Sequence, residues 1–200
     1  MKIVVLADEV SFDTIRQLDT EAAWVRITDE KEFALHADAD AWFDLSENAM
    51  SNNHPAAAIP LFIHAVTDVL PSNKKAIRIN AWKGFLENES WEVAGELNDL
   101  EKAILSHLNK NTIICANEPG FISARIIAMI INEAYYAKGE NVSTEAEIDT
   151  AMKLGTNYPY GPFEWAQKIG VQNIYALLKK LSLQDSRYNP APLLIKTAAA

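Results

Sequence analysis

The sequence predicts an α/β layer built on a mainly parallel sheet, followed by an all-α domain. Three observations predict it. Up to residue 116, short apolar β-rich runs alternate with helix-patterned segments, the order that builds a parallel sheet covered by helices. After Pro119 only helical patterns follow. Between the two, Pro119-Gly120 breaks the chain, so the expected division is 1–117 and 118–200.

The elements follow in order. Residues 2–6 read as a buried parallel strand. A weak helical pattern over 11–18 carries Phe12, Ile15 and Leu18. Residues 23–28 read as a second strand, 30–36 as a short charged helix and 41–45 as a third strand. The Ala-rich stretch 55–59 is expected to be helical, with strands at 61–66, 76–80 and 91–94. Residues 97–108 form an amphipathic helix with Leu100, Ile104 and Leu108 on one face, and 112–116 closes the series as a strand. Beyond the break, Ile122, Ile126, Met129, Ile130 and Ala134 recur with a helical period and predict one wide buried face. Lys138-Gly139 is expected to end that helix. Thr144 with Glu147 three residues on is a capping box for the next. That helix is expected to bury Ile148, Ala151, Met152 and Leu154 and to stop at Gly155.

Composition narrows the function. A hydrophobic share of 49% and a charged share of 22% are ordinary for a soluble globular chain of 200 residues. A formal charge of −9 lacks the cationic footprint that nucleic-acid binding needs, and it disfavours an anionic cofactor unless basic residues cluster. Lys74, Lys75, Arg78 and Lys83 read either as such a cluster or as a solvated basic loop. Cys115 is the only cysteine, so no intrachain disulfide forms, and its apolar run suggests an inert core thiol. The start of the chain meets Asp8 and Glu9 too soon for a signal peptide, and the longest apolar run, 126–131, is too short for a bilayer. A cytoplasmic protein without membrane contact is expected. The four histidines, His36, His54, His64 and His107, show no metal-ligand spacing, and His64 reads as a hydrogen-bonded strand residue. No phosphate-binding loop or nucleophile elbow occurs.

The most informative residues lie after the break: Glu118-Pro119-Gly120-Phe121-Ile122 with Arg125, then Asn132-Glu133-Ala134, residues 147–155 with Glu147-Ile148-Asp149, and Pro159-Tyr160-Gly161-Pro162-Phe163-Glu164. With Arg187-Tyr188-Asn189-Pro190 and Pro192-Leu193-Leu194, this series resembles the C-terminal domain of the 3-hydroxyacyl-CoA dehydrogenase family. The resemblance implies a shortened Rossmann-like domain followed by a helical domain that dimerises and contributes to acyl-CoA binding. It also implies positions for the reaction. The family's base histidine corresponds to Asn80, its partner glutamate to Glu92 twelve residues on, its catalytic serine falls near Thr67, and its active-site asparagine corresponds to Ala124. An asparagine amide has no pKa near neutrality and cannot act as a base.

The same comparison bears on the cofactor. A first strand should lead into G-x-G-x-x-G, whose glycines let the backbone approach a pyrophosphate. Here the turn reads Ala7-Asp8-Glu9-Val10-Ser11-Phe12, with Ala7, Glu9 and Phe12 at the glycine positions. Asp29, 22 residues after Ala7, reads either as the acid that holds the adenosine ribose or as a surface acid opening a helix. Residues 44–48 resemble a further family motif in which Glu47 matches a cofactor-contacting acid; the lysine expected after it is absent and Asn52 stands nearby. Three functional readings result. The first is a family member with degraded NAD and catalytic motifs, binding acyl-CoA or serving a structural role as a homodimer. The second is an active NAD-dependent dehydrogenase of fatty-acid metabolism with an altered site. The third is a binder of another small ligand in an interdomain cleft.

Overall fold

In the computed structural model, which describes residues 1–55 and 58–200, Cα packing divides the chain into Met1–Phe121 and Ile122–Ala200. The first unit holds one seven-stranded sheet in the order β2-β1-β3-β4-β5-β6-β7. Its strands are β1 (Lys2–Leu6), β2 (Ala23–Ile27), β3 (Ala41–Asp44), β4 (Leu61–His64), β5 (Ile77–Ile79), β6 (Ser90–Ala94) and β7 (Asn111–Ile114). Neighbours run parallel except β5 and β6, where Arg78 faces Ala94 and Ile79 faces Val93. The α/β layer predicted from alternation is therefore present, with one antiparallel step.

Side-chain alternation along the central strands supplies two cores. Ile3, Val5, Phe43, Phe62, Ile79 and Val93 point to one face, where α1 (Glu9–Ile15) and α2 (Asp99–His107) contribute Ile15, Ile104 and Leu105. Val4, Leu6, Trp42, Leu61 and Ile63 point to the other, against Phe33 and Ala49. That second face is covered by the short charged helix expected at 30–36, which is a 3-10 helix, Glu30–His36. The expected helix at 55–59 falls partly on 56 and 57, outside the described residues, and Pro55, Ala58 and Ile59 are not helical. On α2 the buried face is Ile104, Leu105 and Leu108, while Leu100 is exposed. The last strand begins one residue early and ends at Ile114, and as the sheet's edge it is exposed throughout. Cys115 beside it is half-exposed rather than a core thiol.

The second unit is wholly helical: α3 (Ser123–Gly139), α4 (Glu145–Thr156), α5 (Pro162–Ile169), α6 (Val171–Ser182) and α7 (Pro192–Ala198), with α3 packed on α5, α6 and α7. The buried stripe of α3 is Ala124, Ile127, Ala128, Ile131, Ala134 and Tyr135. Of the predicted stripe only Ala134 is fully buried; Ile122 and Ile126 are exposed. The apolar pattern of this helix is wide enough to admit either face, and the small residues Ala124 and Ala128 let the neighbouring helices approach. On α4 the prediction fails more fully. Asp149 is its one buried residue, Ile148 and Met152 are half-buried, and Ala151 and Leu154 are exposed.

α3 ends at Gly139 as expected, whereas α4 runs past Gly155. After Gly139, the left-handed turn is made by Asn141 (φ 60°), with Val142 N donating to Ala137 O. Gly155 lies inside α4, which ends at left-handed Asn157 (φ 57°). Asparagine tolerates this conformation through its short polar side chain, so neither end needed its glycine. The capping box of Thr144 and Glu147 is present as predicted, and hydrogen bonds from Ser143 and Thr144 hold the Glu147 carboxyl down at about 2. Among the described residues no helix is long and apolar enough to cross a membrane.

Candidate functional site

The carboxyl edge of the sheet gathers most of the polar chemistry of the first unit. At the end of β1, Ala7 is buried and its carbonyl accepts from Arg26 Nε. Asp8 then caps α1: Oδ1 accepts from Ser11 N at 2.9 Å and Oδ2 from the Ser11 hydroxyl at 2.8 Å. Burial alone raises the Asp8 pKa, but the Ser11 hydrogen bonds and nearby Lys83 outweigh it and leave it lowered. The amide end of α1 is thus served by the chain's own carboxylate. Phe12 packs against the core of the sheet.

At the end of β2, Asp29 caps the following 3-10 helix by accepting from Lys31 N, and Glu32 closes the capping box on Thr28 N and Asp29 N. Asp29 lines a cavity of about 320 Å³ together with Leu6, Thr28, Glu30, Lys31, Ser46, Asn48 and Asn52. The cavity sits where β1 and β3 lie side by side while their onward connections run to opposite sides, the switch point at which open parallel sheets present a crevice. Glu47 is exposed in the adjoining turn and is not one of the lining residues.

Beneath this cavity is a network that the sequence did not single out. Asp44 ends β3 and is fully buried. Its Oδ1 accepts from Ser46 N and from the Ser46 hydroxyl at 2.6 Å; its Oδ2 meets Asn52 Nδ2 at 2.8 Å and His54 Nε2 at 2.9 Å. Burial raises the Asp44 pKa, and the bonds from His54, Ser46 and Asn52 more than reverse that, so it is lowered. The Lys74 ammonium ties the same loop by donating to the carbonyls of Ala49, Met50 and Asn52. The clue in the sequence is the density of Asp, Ser, Asn and His between 44 and 54.

Arg78 is likewise committed. Its guanidinium is fully buried and donates to Ala65 O, Val66 O, Glu118 O and Asn117 Oδ1, with the Phe121 ring 4.7 Å beneath it. Burial draws its pKa down to about 10. The expected basic cluster therefore divides: Lys74 and Arg78 are bound up in holding loops, while Lys75 and Lys83 are exposed.

Asn80 follows β5, is 6% exposed, and accepts from Trp82 N through its own Oδ1. Continuing the antiparallel register one step past Ile79 and Val93 sets Asn80 across from Glu92, which is also buried. Thr67 is half-buried in the turn after β4. His64, at the end of β4, accepts from Ala81 N at Nδ1, and burial against this turn lowers its pKa to about 4 although the residue as a whole is half-buried. Ala124 is fully buried in α3 of the second unit.

In the helical unit the residues that carried the resemblance make its joints. The Asp149 carboxylate accepts from Phe163 N at 2.8 Å and Glu164 N at 3.2 Å, capping α5. Glu164 accepts from Gly161 N and pairs with Lys153. Asn132 is buried, donating to Asn189 O and accepting from Ala191 N. A shallow concavity of about 530 Å³ lies over Lys153, Tyr160, Glu164 and Lys168; Lys153 is paired with Glu164, and Lys168 sits over the Tyr160 ring.

Comparison with known proteins agrees with this division. Residues 120–200 match the model of the 3-hydroxyacyl-CoA dehydrogenase C-terminal domain. The chain is 44% identical over 96 residues to a 3-hydroxyadipyl-CoA dehydrogenase of Escherichia coli K12, covering 47% of this chain and 20% of that protein. It is 38% identical over 104 residues to a 3-hydroxybutyryl-CoA dehydrogenase of Bradyrhizobium diazoefficiens, covering 51% of this chain and 36% of the relative. The chain thus spans well under half the length of these curated relatives. The crystal structure of an (S)-3-hydroxybutyryl-CoA dehydrogenase from Ralstonia eutropha superposes with a TM-score of 0.73 at 19% identity, over 99% of this chain and 93% of that one, a likeness of fold.

Proposed function

Since the chain belongs to the 3-hydroxyacyl-CoA dehydrogenase family through residues 120–200, we propose that it is a non-catalytic homologue that retains an acyl-CoA-binding or structural role without NAD-dependent hydride transfer. The observation that carries this reading is the β1–α1 turn. The residues there do not fit a dinucleotide pyrophosphate: Asp8 takes the amide end of α1, Glu9 adds a second carboxylate, and no glycine opens the backbone. Two unit charges of like sign 4 Å apart repel by about 4 kcal/mol at an effective dielectric of about 20, enough to remove ordinary cofactor affinity. The position of the base supports the same reading. Asn80 stands across from Glu92 where the family resemblance places a histidine, and an asparagine amide cannot take up the proton. His64 accepts from Ala81 N beside that position, but a pKa of about 4 makes it a weak base.

The helical unit is proposed to pair with a second copy. Ile122, Ile126 and Leu154 are exposed on it, and Leu154 keeps 84% of its surface in solvent. The test is a coupled one. Purified full-length chain, at high concentration, is mixed with NADH and acetoacetyl-CoA, and the NADH absorbance is followed; a parallel thermal-shift series uses NADH, CoA and acyl-CoAs. The expected result is a flat absorbance trace with stabilisation by acyl-CoA that is independent of NADH. Steady NADH oxidation would overturn the proposal.

A further inference from the structure

We propose that the outer edge of β7 pairs antiparallel with β7 of a second copy of this chain, about a two-fold axis through Ile113, so that two seven-stranded sheets become one. The inference depends neither on the proposed function nor on the pairing proposed for the helical unit.

The backbone of β7 fixes which groups are on offer. In the parallel ladder Ser90 faces Asn111 and Val93 faces Ile114. Asn111 N donates to Glu89 O, and Cys115 N donates to Val93 O. A strand turns its N–H and C=O alternately to its two sides. Asn111, Ile113 and Cys115 therefore spend theirs on β6, and Thr112 and Ile114 direct theirs to the open edge. That edge is bounded at both ends: Lys110 N donates to Leu105 O, and Ala116 O accepts from Glu118 N. Thr112 and Ile114 are thus the residues that a further strand can join.

This edge is unguarded. Natural sheets protect their outer strands with charge, proline or a bulge. β2, at the opposite edge, carries Arg26. From Asn111 to Asn117 there is neither a charged residue nor a proline. All of β7 is exposed, Ile114 to 70%. Copies of a chain with a formal charge of −9 repel one another, and an uncharged edge is where they approach at least electrostatic cost.

The occupant follows from the symmetry of the outward groups, which flank Ile113 evenly. In an antiparallel register centred on Ile113, Thr112 of each copy exchanges N–H···O bonds with Ile114 of the other, and every outward group is used. A register centred on Thr112 sets Ile114 against Lys110, whose N–H is taken; one centred on Ile114 sets Thr112 against Ala116, whose C=O is taken. In the central register Ile113 meets its own copy across the close, non-hydrogen-bonded pair, at a Cα separation of about 4.5 Å. Thr112 then lies beside Ile114, a pair of β-branched side chains suited to a sheet. So short an edge belongs with the weak associations that bury less than about 1,200 Å².

The experiment is sedimentation velocity of the full-length chain carrying Leu154→Asp, which removes the helical pairing, from about 1 to 300 μM. A concentration-dependent dimer is expected. Thr112→Pro in that background removes an outward amide and spares the β6 ladder, since proline is tolerated where the N–H faces away from the sheet. It is expected to weaken the dimer by about tenfold or more with the unfolding midpoint unchanged. Cross-linking reads the register. With Cys115→Ser also in place, Ile113→Cys sets a thiol at disulfide distance from its own copy, and oxidation by copper phenanthroline is expected to link the two chains. Thr112→Cys, which faces Ile114, is expected to link at least about tenfold more slowly. A monomer throughout the range, a dimer unaffected by Thr112→Pro, or cross-linking no faster through Ile113→Cys than through Thr112→Cys would each overturn the inference. None of these readouts involves NADH or acyl-CoA, so the proposed function stands or falls separately.

Discussion

A methyl group on Gly161 would collide with the Asp149 side chain, its Cβ and carboxyl group alike. The backbone there is extended, with φ −74°, so the demand for glycine comes from this close approach and not from a left-handed turn. Asp149 is buried because it caps α5 from a different helix, and the glycine lets it reach. Gly161→Ala is expected to cost about 1–3 kcal/mol of stability by overpacking. Asp149→Ala is expected to cost about 1–3 kcal/mol by leaving the buried amides of Phe163 and Glu164 unpaired. The two are not additive: the Asp149→Ala background removes the carboxyl part of the clash but keeps the Cβ of residue 149, so the glycine substitution should cost less there without becoming neutral. Urea unfolding of the four chains checks this, and strict additivity would show that the contact is not the reason for the glycine. These signature positions were legible in the sequence as a pattern. Their purpose was not, because the partners are 12 and more residues apart along the chain.

The β4–β5 pair shows how an element is held by groups that sequence reading assigned elsewhere. Arg78, itself fully buried, bridges the carbonyls after β4 to that of Glu118. Lysine cannot reproduce the planar fork of donors, so Arg78→Lys is expected to lose about 2–4 kcal/mol, read as a lowered denaturation midpoint. His64 closes the same turn through Ala81 N. Its pKa is held near 4 against an ordinary 6.5, so the unfolded chain takes up a proton over this range that the folded chain refuses. Stability contributed by His64 is thus complete above pH 6.5 and declines as pH falls towards 4. The lowered Asp44 carboxyl adds a loss of the same sign further down, below the ordinary carboxylate range. Unfolding free energies at several pH values from 7.5 to 4 should fall, and His64→Gln should flatten the upper part of the slope; an unchanged slope would exclude His64 as its source. At this scale the strands were read correctly to within two residues at most ends, since each is a short apolar run between breakers. The buried stripe of α3 and the exposure of α4 were misread. Periodicity tells which residues share a face, but not whether another helix lies against it.

Across the whole molecule, two kinds of information separate. The match of residues 120–200 gives the second unit its family, while the first unit resembles its structural relatives in fold at low identity. In solution the exposed Leu154 and Ile126 should support self-association of the full chain. Leu154→Asp is expected to shift its sedimentation towards the monomer without lowering the thermal midpoint, because the side chain contributes almost nothing to the core. A chain already monomeric at high concentration would count against pairing through this face. The sequence by itself determined the alternation of strands and helices, the helical second unit, the missing glycines and the asparagine at the base position, because these are written in local pattern and residue identity. Only the tertiary structure decided how the polar groups are satisfied: Asp8 on the amides of its own helix, Asp44 with His54, Ser46 and Asn52, Arg78 on four oxygens, and Asp149 on α5. A buried polar group needs a partner, and for Arg78 and Asp149 the partner is brought by the fold from a more distant part of the chain.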